Sequence, residues 1–342
     1  MIGNQLVGKK ILFFCVQTFG LEKQVKSKLE ELGAFVTYYD ERPKNNTFTK
    51  AIIRLKKELY TRKIVKYYNS IIKNTENDSF DYMLVIRGEV VPEFFLKLFK
   101  ENHPSCKLIF YNWDSFKNTP NTKKLLDLYD TKFSFDPYDA KDSSIFFRPL
   151  YYIDSYASLE SRKDFLYDLL FLGTAHSDRY IISNRIKENL EEKGKKVYCF
   201  YYMQGKLVYF YKKLFDSTFQ HFDYKKLSFE SLSTSKMLML YNQSKVILDI
   251  NHPGQKGLTM RTFEAIGAKK KLITTNEEIK KLPFYNRDNI LVLDRNKPEI
   301  DLSFVESDYC DIDSEIYQKL SIEGWLFNLF INDESEYWSK FI

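Results

Sequence analysis

A chain of 342 residues is long enough for two domains, each with its own core. With 44% hydrophobic and 29% charged residues it has the composition of a soluble globular protein. A net charge of +6 is modest for this length and no nucleic-acid-binding motif accompanies it, so nucleic acid is set aside as a partner.

The first residues, MIGNQLVGKKILFFCV, contain an apolar run too short for a signal peptide or a membrane span, which places the protein in the cytoplasm. Four cysteines, Cys15, Cys106, Cys199 and Cys310, have no C-x-x-C spacing, so neither a disulfide nor a zinc site is expected. Lys9 to Val16 reads as a buried strand, LEKQVKSKLEE as a helix stopped at Gly33, and Ala34 to Tyr39 as a second strand. This βαβ opening makes the two strands parallel neighbours. A basic helix around Ala51 to Lys73 follows, then a strand at Tyr82 to Ile86 and a helix beginning at Pro92. Lys107 to Tyr111 is a strand, Lys123 to Leu128 helical, and Thr131 to Phe135 a further strand. Strict alternation of strand and helix predicts a doubly wound α/β domain.

The polar stretch SYASLESRKD reads as a linker, and the second half starts afresh. Asp168 to Leu172 is a strand running into GTAHSDR, Arg179 to Lys193 a helix, and Lys196 to Tyr201 a strand. After a less regular aromatic region, Thr234 to Asn242 is helical, and Val246 to Ile250, Lys271 to Thr274 and Ile290 to Leu293 are strands. The tail from Asp313 has helical spacing. The expected organisation is an N-terminal domain over 1–155, a C-terminal domain over 156–312 and a helical tail over 313–342. Two stretches, Asn45 to Lys73 and Tyr209 to Lys226, mix lysines with aromatics. Each is either a surface for anionic lipid or an ordinary solvated amphipathic helix.

Ligands of doubly wound sheets bind beyond the carboxyl ends of the strands, so the loops there carry the candidate residues. In Gly257 to Glu264, Thr259 is placed to cap a helix and leave its amides facing a phosphate. Arg261 and Glu264, three apart, share a helix face, and a carboxylate accepts two hydrogen bonds from a ribose diol. The bland alternative is a capped helix with a surface ion pair. Gly173 and Thr174 let backbone approach a ligand, and Arg179 offers a forked cation; His176 is either a phosphate donor or an exposed turn residue. In the first half, Asp114 at the end of KLIFYNWD either takes a proton from an acceptor hydroxyl or caps a turn. Asp40 and Glu41 either face an acceptor or pair with Arg42, and the absence of G-x-G-x-x-G after the first strand argues against a nicotinamide or flavin enzyme.

The segment RTFEAIGA, Arg261 to Ala268, resembles the donor-binding half of GT-B glycosyltransferases, in the glycosyltransferase family 1-like branch that includes CgeB-like proteins. The loop FLGTAHSDR is similar in position to that branch's phosphate-facing loop, and FSFDPYD resembles its F-D-x-x-D element. The resemblance implies two Rossmann-like domains facing a cleft, with a C-terminal helix returning to the first. It implies a nucleotide-diphosphate sugar donor, a UDP-sugar being favoured, held by Glu264 on the ribose. Gly173, Thr174, His176, Arg179, Thr259, Met260, Arg261 and Thr262 would surround the diphosphate. It also implies a glycan or lipid-linked acceptor in capsule or lipopolysaccharide synthesis, and no cofactor or metal; such an acceptor would suit a basic helix from Arg54 to Tyr68 that touches the inner face of the membrane. The E-x7-E pattern of many retaining members is absent, since Lys256 occupies the first position, and inversion with Asp114 as base is the reading preferred here. The alternative is a GT-B scaffold that binds nucleotide or glycan without turnover.

Overall fold

The computed structural model describes residues 5–43, 60–219, 222–331 and 336–342. The chain divides into two compact units, one formed by residues 1–149 with 322–340 and the other by 150–321. Helices of eight or more residues are labelled α1 to α8.

The first unit is built on six parallel strands: β1 (Lys10–Cys15), β2 (Phe35–Tyr39), β3 (Tyr82–Ile86), β4 (Lys107–Asn112), β5 (Thr131–Ser134) and β6 (Phe146–Phe147). Their order is β2-β1-β3-β4-β5-β6. Ile11 to Cys15 are wholly buried, as a central parallel strand covered on both faces requires. Helices α1 (Leu21–Glu31), α2 (Thr61–Thr75) and α3 (Glu93–Asn102) supply the crossovers. Gly33 ends the first of these at φ +86°, a left-handed conformation that only glycine adopts at little cost. The core is aromatic, with Phe14 packed on Tyr68 and edge-on to Phe95. Helix α8 (Ile322–Phe330) belongs to this unit, where Trp325 meets the Tyr111 ring edge-on at 4.9 Å.

The basic helix of the sequence reading is described only from residue 60, and 51–59 lie outside the described residues. Within α2, Ile64, Tyr68 and Ile71 are buried while Arg62, Lys63, Lys66 and Lys73 are exposed. The described part of this helix thus gives its apolar face to the core and turns its lysines outward. The helix expected at Lys123 to Leu128 is instead two short turns, Pro120–Lys123 and a 3-10 turn at Leu126–Leu128.

The second unit has β7 (Tyr167–Thr174), β8 (Val197–Tyr202), β9 (Leu227–Ser228), β10 (Ser244–Asp249), β11 (Lys271–Thr274) and β12 (Ile290–Val292), all parallel, in the order β12-β11-β10-β7-β8-β9. From the junction of β7 and β10 three strands, β7, β8 and β9, run outward in one direction and three, β10, β11 and β12, in the other, which is the dinucleotide-fold order with its reversal between β7 and β10. Helices α4 (Arg179–Glu192), α5 (Lys206–Phe215), α6 (Thr234–Asn242) and α7 (Met260–Gly267) flank the sheet. The aromatic region read as irregular thus contains a ten-residue helix, α5. Two doubly wound α/β units, with the C-terminal helix on the first, are the architecture expected from the sequence.

The glycine of RTFEAIGA, Gly267, has a packing reason. A Cβ there would lie 2.6 Å from Tyr152 Cγ and 2.7 Å from its Cβ, the stem of a ring that cannot swing away. Tyr152 is 2% exposed and donates its hydroxyl to the Tyr317 carbonyl, while its amide donates to the Leu320 carbonyl. Alanine would gain about 1 kcal/mol of helix propensity but lose about 1–3 kcal/mol to overpacking. Gly267→Ala is accordingly expected to lower stability in urea unfolding, and a rise in the midpoint would contradict the contact.

Candidate functional site

The reversal of strand order in the second unit brings the loops after β7 and β10 side by side, and these are the two loops that carry the predicted donor residues. Arg179, first residue of α4, ties them together: its Nε donates to the Ile250 carbonyl at 2.7 Å and its Nη1 reaches the Thr174 carbonyl at 3.5 Å. No hydrogen bond from Nη2 to a described residue is formed. Burial lowers the Arg179 pKa, Asp249 opposes that, and the nearby cations Arg261 and Arg295 add to it. Three guanidinium groups thus lie within electrostatic reach of one loop pair, two of them already paired, Arg261 with Glu264 and Arg295 with Asp178.

Thr259 caps α7, its hydroxyl accepting from the Arg261 amide at 3.1 Å. That hydroxyl and the Thr262 hydroxyl both donate to Asp249 Oδ2, at 2.7 and 2.8 Å. The two threonines therefore lock the loop to the end of β10, and their side-chain protons are already used. Met260 is the first residue of α7 and half-buried.

Glu264 sits one turn further along α7. Its Oε2 accepts from Arg261 Nη1 at 2.5 Å and from the Tyr241 hydroxyl at 2.9 Å, and Arg261 also donates to Tyr241 at 3.2 Å. Burial works against the Arg261 cation, yet Glu264, Tyr241 and Tyr156 together hold its pKa above the ordinary value. The hydrogen bonds from Arg261 and Tyr241 both go to Oε2 and no described residue donates to Oε1 with good geometry, while the buried Tyr156 hydroxyl, without a well-formed partner of its own, lies beside the carboxylate. The spacing read from sequence as one shared helix face is realised as an ion pair.

Gly173 and Thr174 prove to be the last two residues of β7, paired with Tyr201 and Tyr202. A Cβ on Gly173 would lie 2.6 Å from the Phe171 ring, so a neighbouring side chain and not a ligand occupies the space its missing Cβ leaves. His176 is half-buried, with Nδ1 3.1 Å from the Ser177 hydroxyl and its ring 5.7 Å from that of His252. Burial, with help from Arg179, Lys212 and His252, pushes its pKa down to about 3. The imidazole is neutral at ordinary pH, and because the Ser177 hydroxyl donates to the His176 carbonyl, the one N–H is on Nδ1 and is spent on Ser177 Oγ, which leaves Nε2 as an acceptor.

Two residues escaped the sequence reading. Arg295, beyond β12, grips Asp178 with Nη1 at 2.7 and 2.8 Å and reaches the Asn251 carbonyl, the Asn251 side chain and the Thr275 hydroxyl with Nη2. It fastens together the loops after β7, β10 and β11. Asp249 is the other, 4% exposed and the acceptor for both threonines. A charged residue at or just past a strand end was the available signal for each.

The first unit holds a second charged group at the carboxyl ends of β2, β3 and β4. Arg87 lies 3.4 Å from Glu89 and 3.3 Å from Asp114 Oδ2, and Arg42 pairs with Glu89. Arg87 takes φ +76°, a costly conformation for a residue with a side chain, at the point where this sheet reverses order between β1 and β3. Asp114 Oδ1 accepts from the Ser115 amide and Asn118 Nδ2, each at 2.9 Å, so turn-capping and ion pairing coexist in one side chain. Asp40 closes a turn onto the Arg42 amide. Glu41 is turned inward: it is 0% exposed, neither carboxyl oxygen has a hydrogen-bond partner among the described residues, and Arg42 pairs with Glu89 instead of with it. Its place is set by the chain, since the Tyr68 hydroxyl donates to the Glu41 carbonyl and draws the residue inward. Asp136 caps a short helix and Asp139 accepts the Phe116 amide, so the F-D-x-x-D element holds loops. An open depression lined by Asp130, Lys132, Phe146, Glu336 and Lys340 lies at the amino ends of β5 and β6, the opposite end of this sheet from the Arg87 group.

No family model matches the chain, and no curated protein matches it. Solved structures do. A glycosyltransferase from Rickettsia africae ESF-5 is 14% identical, covering 97% of this chain and 92% of its own, with a TM-score of 0.49. The catalytic domain of starch synthase IV from Arabidopsis thaliana, bound to ADP and acarbose, is 9% identical with coverages of 98% and 94% and a TM-score of 0.48. A UDP-GlcNAc 2-epimerase from Methanocaldococcus jannaschii is 13% identical with coverages of 84% and 89% and a TM-score of 0.44. Likenesses this distant assign neither substrate nor site residues.

Proposed function

We propose that this protein is a nucleotide-sugar-dependent glycosyltransferase whose second unit binds the donor at the reversal between β7 and β10. The observation that supports it best is the convergence there of Arg179, Arg261 and Arg295 with Oε1 of Glu264. The cations and the amide-rich start of α7 suit a diphosphate, and the carboxylate suits a ribose diol. As the glycosidic bond to the donor breaks, charge develops on the leaving diphosphate, and fixed cations stabilise it without a metal. The acceptor, a glycan or lipid-linked sugar of a bacterial surface polysaccharide, is assigned to the first unit, and Asp114 to removal of its hydroxyl proton with inversion at the sugar carbon. A UDP-sugar is the favoured donor.

A second reading, binding without turnover, draws on Asp114. Both its oxygens are engaged, one by Ser115 and Asn118 and the other by Arg87, which leaves less capacity to accept a proton. Incubating the protein with a panel of UDP-, GDP- and ADP-sugars and glycan acceptors, and measuring released nucleoside diphosphate, separates the two. Transfer predicts release with one donor. Binding alone predicts a raised melting temperature without release, and a panel with neither response contradicts both.

A further inference from the structure

Helix α5 is inside out. Its large apolar residues Leu207, Phe210, Tyr211, Leu214 and Phe215 recur at the i, i+3, i+4, i+7, i+8 spacing of one helix face, and they are 86%, 55%, 66%, 74% and 73% exposed. In a helix covering a soluble core this stripe faces inward. Here only Tyr209 is buried, edge-on to the ring of Phe219. Helix α2 offers the contrast within the same chain, since its apolar stripe is inside and its lysines outside. A contiguous exposed stripe of this kind on a water-soluble fold marks a surface that another body covers.

Charge decides among the occupants. Residues 206–226 contain five lysines, Lys206, Lys212, Lys213, Lys225 and Lys226, against two aspartates, Asp216 and Asp223. Lysines bordering an apolar helical face match a surface that is negative at its rim and apolar beneath, which is the layout of an anionic bilayer. A second copy of the same helix would set its own lysines against these. At ten residues the helix is far too short to span a bilayer and has the length to lie in its interface.

We propose that α5 is the membrane-docking element of this protein, lying along an anionic phospholipid surface with Leu207, Phe210, Leu214 and Phe215 in the acyl boundary and the lysines among the head groups. This assignment does not depend on the glycosyltransferase reading. It moves the lipid contact from the basic helix of the first unit, whose described part gives its apolar face to the core, to the second unit.

The full chain is tested by co-sedimentation with vesicles of phosphatidylcholine alone and of phosphatidylcholine with an equal part of phosphatidylglycerol. Wild type is expected to bind the anionic vesicles and not the neutral ones. Replacing Leu207, Phe210, Leu214 and Phe215 together by serine is expected to weaken that binding at least tenfold, and Lys206→Glu with Lys213→Glu to do the same. Because these side chains are exposed, circular dichroism of each variant should be unchanged. A Phe210→Trp variant adds a direct readout, its emission shifting to the blue only with anionic vesicles. Equal binding by wild type and the serine variant, equal binding to both vesicle types, or no vesicle binding together with a dimer that the serine variant dissolves would each overturn the proposal.

Discussion

Glu264→Gln is expected to weaken nucleoside diphosphate binding by about 10- to 100-fold while leaving the protein folded. The carboxylate spends Oε2 on Arg261 and Tyr241 and presents Oε1. A ribose diol donating to a carboxylate makes charge-assisted hydrogen bonds, each contributing about 1.5–3 kcal/mol, and a neutral carboxamide gives up the charge. Glutamine keeps the shape and an acceptor for Tyr241, so the variant separates recognition from folding. Alanine does not, because it strips a partly buried guanidinium of its partner, a loss of about 3–5 kcal/mol. Titration calorimetry of UDP with both proteins checks the binding, and a melting curve checks the fold. Unchanged affinity would remove Glu264 from the site.

In the first unit the expected effect is on stability. Burial pushes the Glu41 carboxyl up to about 8 from 4.5; Arg87 and Arg42 pull it down, while Glu89 and Asp40 push it further up. The folded protein thus holds this proton far more tightly than the unfolded chain does. Below about pH 4.5 the group is protonated in both states and imposes no ionisation cost; as pH rises toward 8 the unfolded state gains by ionising and the folded state does not, so stability falls, levelling off above that. The rise from 4.5 to about 8, at about 1.4 kcal/mol per pKa unit, sets a ceiling of about 5 kcal/mol. Glu41→Gln removes the titration. Its unfolding free energy should match wild type near pH 4 and exceed it near pH 8 by up to that amount. A difference between the two proteins that does not change with pH would show that the carboxyl is not buried uncharged.

The fold was largely legible because its signals are local. Buried parallel strands read as apolar runs, Gly33 marks a helix stop, and Thr259 caps the helix whose N-terminus the sequence placed at the strand end. The site was legible where a motif put its residues within one helix turn, as with Arg261 and Glu264. Arg295 was not, because its role arises from Asp178, Asn251 and Thr275, up to 117 positions away, and no spacing rule links them. Asp249 was passed over as the end of a strand. Helix α5 was legible only in part: Tyr209 to Lys226 was marked as a lipid surface or a solvated amphipathic helix, but the start of the helix at Lys206 was left in an irregular region, because its apolar residues crowd with aromatics that include a core residue, Tyr209, on the other face. Glu41 was read by its charge as a ligand group, whereas a tyrosine hydroxyl on α2 draws its backbone, and with it the side chain, into the core.

The most direct test is a crystal structure of the protein soaked with UDP. The account predicts the diphosphate against Arg179 and the first turn of α7, with the ribose hydroxyls on Glu264 Oε1. Nucleotide bound elsewhere, or this corner empty at saturating UDP with Oε1 turned into packed protein, would contradict it.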